Sequence, residues 1–251
     1  MSNASLLEQQ TALIEYLLDP HQYAGTQNGG SPQKGLWGIN PQRLRILGEI
    51  SLNNRLKKVR AILPKTIQFL DDGLKNVFSE FSHTHPQSSL KHYNNAVQFC
   101  EFLSDRKIDS TKIPAFLYDL SRFELAIWRI ELGPKYLEDD SPFARVRLGW
   151  GGQEYYFINK FESLHLNYQI RPFFEQPGKT NEPRKQSSIV LIHAGEHGKS
   201  AQVFEINVEQ EKYLLGLNKS FENVPDNIPK EIHHEEAYAL LKTLGLLILS
   251  L

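Results

Sequence analysis

The apolar pattern of this chain first changes its period just after Leu132, and that change separates an all-helical part from a mixed one. Before it, apolar residues recur every three or four positions. Leu52, Leu56, Val59 and Leu63 lay a single stripe along a helix. Leu6, Leu13, Ile14, Leu17 and Leu18 do the same over residues 5–18, and Asp19-Pro20 closes that helix. Pro64 lacks an amide hydrogen and clashes with the preceding turn, so it breaks the helix that carries the first stripe. Ile67, Leu70, Leu74, Val77, Phe78 and Phe81 predict one further helix over 67–81. Leu90, Tyr93, Val97, Phe99 and Phe102 predict another, with Ser88 or Ser89 as its cap. Leu117, Leu120 and Phe123 mark the last of the series, over about 114–132, before Gly133-Pro134.

Residues 133–152 gather glycine, proline and acidic side chains, as a join between domains does. Beyond it the signal is that of strands. Leu166, Tyr168 and Ile170 alternate over 165–171. Ser188 to Ile192 is a short β-branched run, and Val203, Phe204, Ile206 and Val208 alternate less cleanly. The turn Gly195-Glu196-His197-Gly198 joins the last two strands as a hairpin. Helices over 208–218, burying Tyr213, Leu214 and Leu217, and over about 231–249 complete the chain. The class expected is α+β: an all-helical domain over 1–140, then a smaller domain over 150–251 with a three-stranded antiparallel sheet backed by helices.

With 251 residues, 40% of them hydrophobic, the chain can fill two cores. A net charge of −1 advertises neither nucleic acid nor an anionic surface. One cysteine, Cys100, excludes an internal disulfide, and its place between Phe99 and Phe102 predicts a buried thiol. The apolar run Leu244 to Leu249 is far shorter than the ~20 residues that span a bilayer, and the N-terminus lacks the basic and apolar regions of a signal peptide. A soluble, cytoplasmic protein is expected.

Charged residues stand inside the apolar helix before Leu132. Asp119 and Arg122, three apart, share a face, with Glu124 close by. If exposed, such a pair is worth only ~0.2–1 kcal/mol. Arg43, Arg45, Arg55, Lys57, Lys58, Arg60 and Lys65 form a basic stretch, which the apolar stripe leaves on the outer helix face. That face can meet phosphates, an acidic partner, or water alone. The histidine pairs His83/His85, His193/His197 and His233/His234 each lack a nearby third ligand. His193 and His197 flank a glycine turn and do not share a helix face, so the helical zinc-pair geometry does not apply, although an enzyme built on that turn remains a third reading. The glycines at 25–38 and 149–152 are not followed by the Lys-Ser or Lys-Thr of a phosphate loop. With no self-contained catalytic constellation, the residues favour a binding role, and no cofactor or metal is expected.

Several short segments then fall in a telling order: Leu17-Leu18-Asp19-Pro20, Gly35-Leu36, Leu52-Asn53-Asn54-Arg55-Leu56, Ile62-Leu63-Pro64, His85-Pro86 with Ser88-Ser89, and Phe116-Leu117-x-Asp119-Leu120-x-Arg122-Phe123-Glu124. This order resembles a family named for a DNA-binding domain. Its members are partner proteins of multinuclear non-haem iron oxidative enzymes that modify ribosomally made peptides, and the methanobactin-biosynthesis partner protein belongs to the same group. The resemblance covers about residues 13–130. It implies a helical domain that docks on the iron enzyme, with Arg55, Lys58, Asp119, Arg122 and Glu124 as docking residues. It also implies a winged-helix-like C-terminal domain that takes up the precursor peptide. A free sheet edge can accept such a peptide as an added strand. The third strand, through Ser200, Gln202, Phe204 and Ile206, is the expected edge, and Tyr213, Leu217, Tyr238 and Leu241 complete the expected groove. The alternative function is a DNA-binding transcriptional regulator.

Overall fold

The computed structural model describes residues 6–18, 36, 40–87, 91–106, 113–132, 145–150, 153–158, 161–175, 182–195, 200–221, 230–231 and 235–249. Their architecture is α+β, with helices first and antiparallel sheet with helices after. Two compact units share the chain, residues 1–121 and 122–251.

In the first unit, α1 (Leu6–Leu18) buries Ala12 and Tyr16 against Leu36. Its last carbonyls have no partner within the helix. The Ser51 hydroxyl donates to Leu17 O at 2.7 Å and the Gln87 amide to Leu18 O at 3.3 Å, so neighbouring segments close the helix end. The Tyr16 hydroxyl donates to Leu44 O at 2.7 Å. Burial, and then the Glu49 charge, hold its pKa above the usual phenol value.

Helix α2 (Pro41–Ile62) opens on Asn40, whose side chain accepts from the Gln42 amide, with Pro41 at the first helical position. It ends at Leu63, and Pro64 starts α3 (Pro64–Leu70). The single helix expected over 67–81 is in fact two. A 3-10 turn at Asp71–Gly73 separates α3 from α4 (Leu74–Thr84), and Asp71 sits at φ 33°. Asp-Asp-Gly is a weak helix former, and aspartate tolerates positive φ. α5 (His92–Arg106) and α6 (Phe116–Glu131) follow. Cys100 is buried, as its neighbours suggest.

An aromatic core joins α4 to α5. Phe81 is fully buried, with the rings of Phe78, Phe99, Phe102 and His85 centred 5.0–5.7 Å from its own. Arg55 corrects the sequence reading. It was placed on the outer face of its helix, yet it is 2% exposed. It precedes Val59 and Ile62 by one and two turns, so it shares their buried face. Its guanidinium has partners there: Nε donates to Asn95 Oδ1 at 3.0 Å and Nη2 to Gln98 Oε1 at 3.1 Å. Its Cζ lies 4.2 Å from the Phe81 ring centre.

The second unit holds two sheets. β1 (Arg145–Trp150) and β2 (Gln153–Ile158) pair antiparallel, flanked by β6 (Lys230–Glu231) and β7 (Leu247–Leu249) in the order β6-β1-β2-β7. β3 (Phe161–Leu166), β4 (Ser188–Ala194) and β5 (Ala201–Ile206) form the three-stranded antiparallel sheet, in that order. The hairpin expected from the glycine turn is the β4–β5 pair. The first strand begins earlier than 165, and Ile170–Glu175 is a short helix, α7. The expected join at 133–152 contains β1.

Helix α8 (Val208–Phe221) starts in a reciprocal capping box. Asn207 Oδ1 accepts from the Gln210 amide at 2.8 Å, and Gln210 Oε1 accepts from the Asn207 amide at 2.9 Å. The helix expected over 231–249 is only α9 (Glu235–Thr243), which stops at Gly245. Gly245 takes φ +65°, its amide donates to Lys242 O, and the Leu246 amide donates to Leu241 O. This is a Schellman cap, and it turns the apolar run after it into β7. Phe157, Ile158, Leu191, Ile206, Leu214, Leu241 and Leu246 pack as one core. A Cβ at Gly245 would lie 2.7 Å from Gln202 Oε1, in a backbone conformation that disfavours side chains. Gly245→Ala is expected to cost about 1–2 kcal/mol in chemical denaturation.

Candidate functional site

β5 pairs only with β4 among the described strands, so one margin faces away from the sheet. Antiparallel pairing fixes which groups that margin presents. The Gly195 amide donates to Ser200 O, which makes Gly195 and Ser200 a hydrogen-bonded pair. The register then sets Gln202, Phe204 and Ile206 toward β4 in turn, and leaves the amides and carbonyls of Ala201, Val203 and Glu205 pointing outward. The Ala201 amide confirms this phase, since it donates to Glu131 Oε1 at 2.8 Å.

The expected groove residues divide. Ser200 is exposed at the start of the strand, and Gln202 lies half-buried against Gly195. Phe204, Ile206, Leu217, Tyr238 and Leu241 meet in the core just described. They hold β5 in place from behind. Leu241, 1% exposed, is core and cannot be a groove wall. Tyr213, expected to be buried, is 38% exposed and stands outside that core. Partial burial raises its pKa.

The docking residues divide as well. Arg55, Asp119 and Glu124 are buried, so they cannot meet a partner on the surface of this fold. The apolar neighbours of Asp119 and Glu124 draw that face of α6 inward, and the charges go with it. Lys58 is half-buried. Arg122 donates from Nη1 to His165 O at 2.9 Å, on the outer margin of β3.

Where β5 runs into α8 there is an open cavity of about 510 Å³, lined by His165, Asn167, Ser187, Ser188 and Asn207 among others. His165 Nε2 lies 2.9 Å and 2.8 Å from the two carboxylate oxygens of buried Glu211, so that nitrogen carries the proton and donates. A second feature absent from the sequence reading is an aromatic cluster. Trp150 stacks on Tyr238 at 5.2 Å, the Tyr155 and Tyr238 hydroxyls are 3.0 Å apart, and Lys242 Nζ lies 5.6 Å from the Tyr238 ring centre. Trp150 fell within the expected join at 133–152, and Tyr238, which gathers the cluster, lies 83 residues beyond Tyr155, too far to leave a local signal.

His193 is fully buried; His197, His233 and His234 lie outside the described residues. Its two ring nitrogens face Ala194 O at 2.7 Å and Leu244 O at 2.8 Å. A neutral ring has one N–H and serves one carbonyl; the charged ring serves both. Burial outweighs those two carbonyls and lowers its pKa below the usual 6.5. The unfolded chain therefore binds this proton first as pH falls. The stability from a neutral His193 is full above about pH 6.5 and is lost progressively below it, down to the folded-state pKa. His193→Gln is expected to flatten the loss of urea stability between neutral and mildly acidic pH.

Among the described residues, no group of three or more His, Cys, Asp or Glu is placed to hold a metal ion, and no helix is long and apolar enough to cross a membrane. No protein-family model matches the chain, and no curated protein matches it.

Proposed function

We propose that this chain is a non-catalytic partner that takes up a ribosomally made precursor peptide as an added strand on β5 and presents it to an iron-dependent oxidative enzyme. The observation that carries this reading is the outward row of amides and carbonyls at Val203 and Glu205, in register on a sheet margin braced by a packed core. Such a margin gives affinity through main-chain hydrogen bonds. The ordered N-terminal segments support the identity of the enzyme partner.

The docking surface on the helical unit is then a different one from the residues first expected. Ile46, Leu47 and Ile50 on α2, and Leu6, Leu7 and Ile14 on α1, are large apolar side chains left exposed. Apolar surface of this kind marks interaction sites in soluble proteins. Ile46→Asp with Ile50→Asp is expected to weaken enzyme binding about tenfold or more while leaving the urea midpoint nearly unchanged.

Affinity capture from cells that express the chain natively tests the proposal. Co-elution of a non-haem iron oxidative enzyme and a short ribosomal peptide is expected. If neither binds at micromolar concentration, the reading is wrong. One observation favours the DNA-binding alternative: Arg43, Arg45, Lys57 and Arg60 are exposed on α2. That alternative requires duplex binding with a steep salt dependence.

A further inference from the structure

We infer that the β5 margin selects an extended peptide rich in lysine or arginine, and that Glu131 sets where pairing begins. The inference rests on the strand-addition reading above and adds the chemistry of the peptide to it.

Carboxylates mark this margin along its length. Glu131 holds the first outward amide, that of Ala201. Glu205 is exposed as the last residue of the outward row, and Glu209 is exposed where the strand gives way to α8. Residues 200–208 contain no lysine or arginine. An incoming strand therefore meets the exposed carboxylates of Glu205 and Glu209 at the α8 end, with no basic side chain of β5 to offset them. Opposite charges on directly paired residues favour pairing, and like charges there oppose it. A basic side chain set opposite Glu205 is the matching choice.

The backbone decides the register. Because the Glu131 carboxylate occupies the Ala201 amide, the donors left outward on β5 are those of Val203 and Glu205. A peptide pairs from Val203 onward, toward the α8 end of the strand. The other margin of the sheet differs: on β3 the outward His165 carbonyl is held by a cation, Arg122, and the nearby carboxylates of Glu162 and Glu211 are already paired with Arg129 and His165. A basic peptide is thus directed to β5 and away from β3.

The probes are two fluorescein-labelled peptides of equal length, one alternating lysine with valine and the other alternating glutamate with valine. Binding is read by fluorescence anisotropy at low and high salt. The full chain is expected to bind the lysine peptide about tenfold tighter or more than the glutamate peptide, with the difference shrinking in high salt. Glu205→Lys, at an exposed position, is expected to reverse the preference. Val203→Pro removes an outward amide that β4 does not use, and should abolish binding with the circular dichroism spectrum retained. Equal binding of both peptides that is lost in Val203→Pro would overturn the selectivity while leaving strand addition standing. Binding that survives Val203→Pro, or no binding of either peptide, would overturn both.

Discussion

Phe81→Ala is expected to cost about 3–5 kcal/mol of the stability of the helical unit, the largest effect of any single change considered. Phe81 is fully buried, and four rings surround it. Truncation removes its transfer free energy and leaves a cavity whose walls are aromatic and belong to two different helices. Such walls cannot close in by a rotamer change. It also takes away the ring face beneath the Arg55 guanidinium. Urea denaturation followed by far-ultraviolet circular dichroism would show a lower midpoint for the helical signal. A loss below about 1 kcal/mol would mean that this core repacks freely.

Arg55→Ala is expected to cost about 3 kcal/mol, from two hydrogen bonds made by a charged group and one cation–π contact. The guanidinium ties α2 to α5 through Asn95 and Gln98, on consecutive turns of α5. Arg55→Met keeps most of the apolar stem and loses the donors, so it should recover only part of the stability. Lys58→Ala, three residues along the same helix, should fall within about 0.5 kcal/mol of the parent. The contrast between the two positions measures how differently one basic stretch is used. A docking role for Arg55 would instead require its loss to weaken partner binding with little effect on folding.

Arg55 also shows where sequence reasoning runs out. The stripe Leu52, Leu56, Val59 and Leu63 located the helix correctly, and Pro64 ended it as expected. The same stripe misplaced the buried face by part of a turn. Leu52 and Leu56 are half-buried, whereas Arg55 is inside with Val59 and Ile62. An arginine can enter a core when its stem packs and its head finds partners, and those partners lie 40 and 43 residues away. Asp119 and Glu124 were noticed because they stood among apolar residues. That company was a sign of burial; docking was only what the family resemblance implied for them. The notch at Asp71 escaped because the apolar period continues across it, although Asp-Asp-Gly is visible in the sequence as a weak point.

In the second unit, local signals located β4, β5 and the hairpin between them. In the four-stranded sheet β6 and β7 were missed because they join over long separations, Tyr155 with Leu249 and Leu148 with Lys230, whereas the local β1–β2 hairpin, in which Trp150 pairs with Gln153, was hidden by the glycine-rich composition taken for a join. The apolar run near the C-terminus resembled helix until Gly245, whose left-handed backbone reverses the chain into a strand. The strand margin itself was legible, since a hairpin that ends a sheet leaves one side open. Glu131 on Ala201 was not, because a contact across 70 residues leaves no periodic trace.

Amide hydrogen exchange, resolved to single residues, tests the strand-addition account most directly when the lysine–valine peptide is added to the full chain. The amides of Val203 and Glu205 should exchange more slowly with peptide bound, while that of Ala201, already held by Glu131, changes little. Unchanged exchange at Val203 and Glu205, or slowing that appears at Ser163 on the β3 margin in their place, would contradict it.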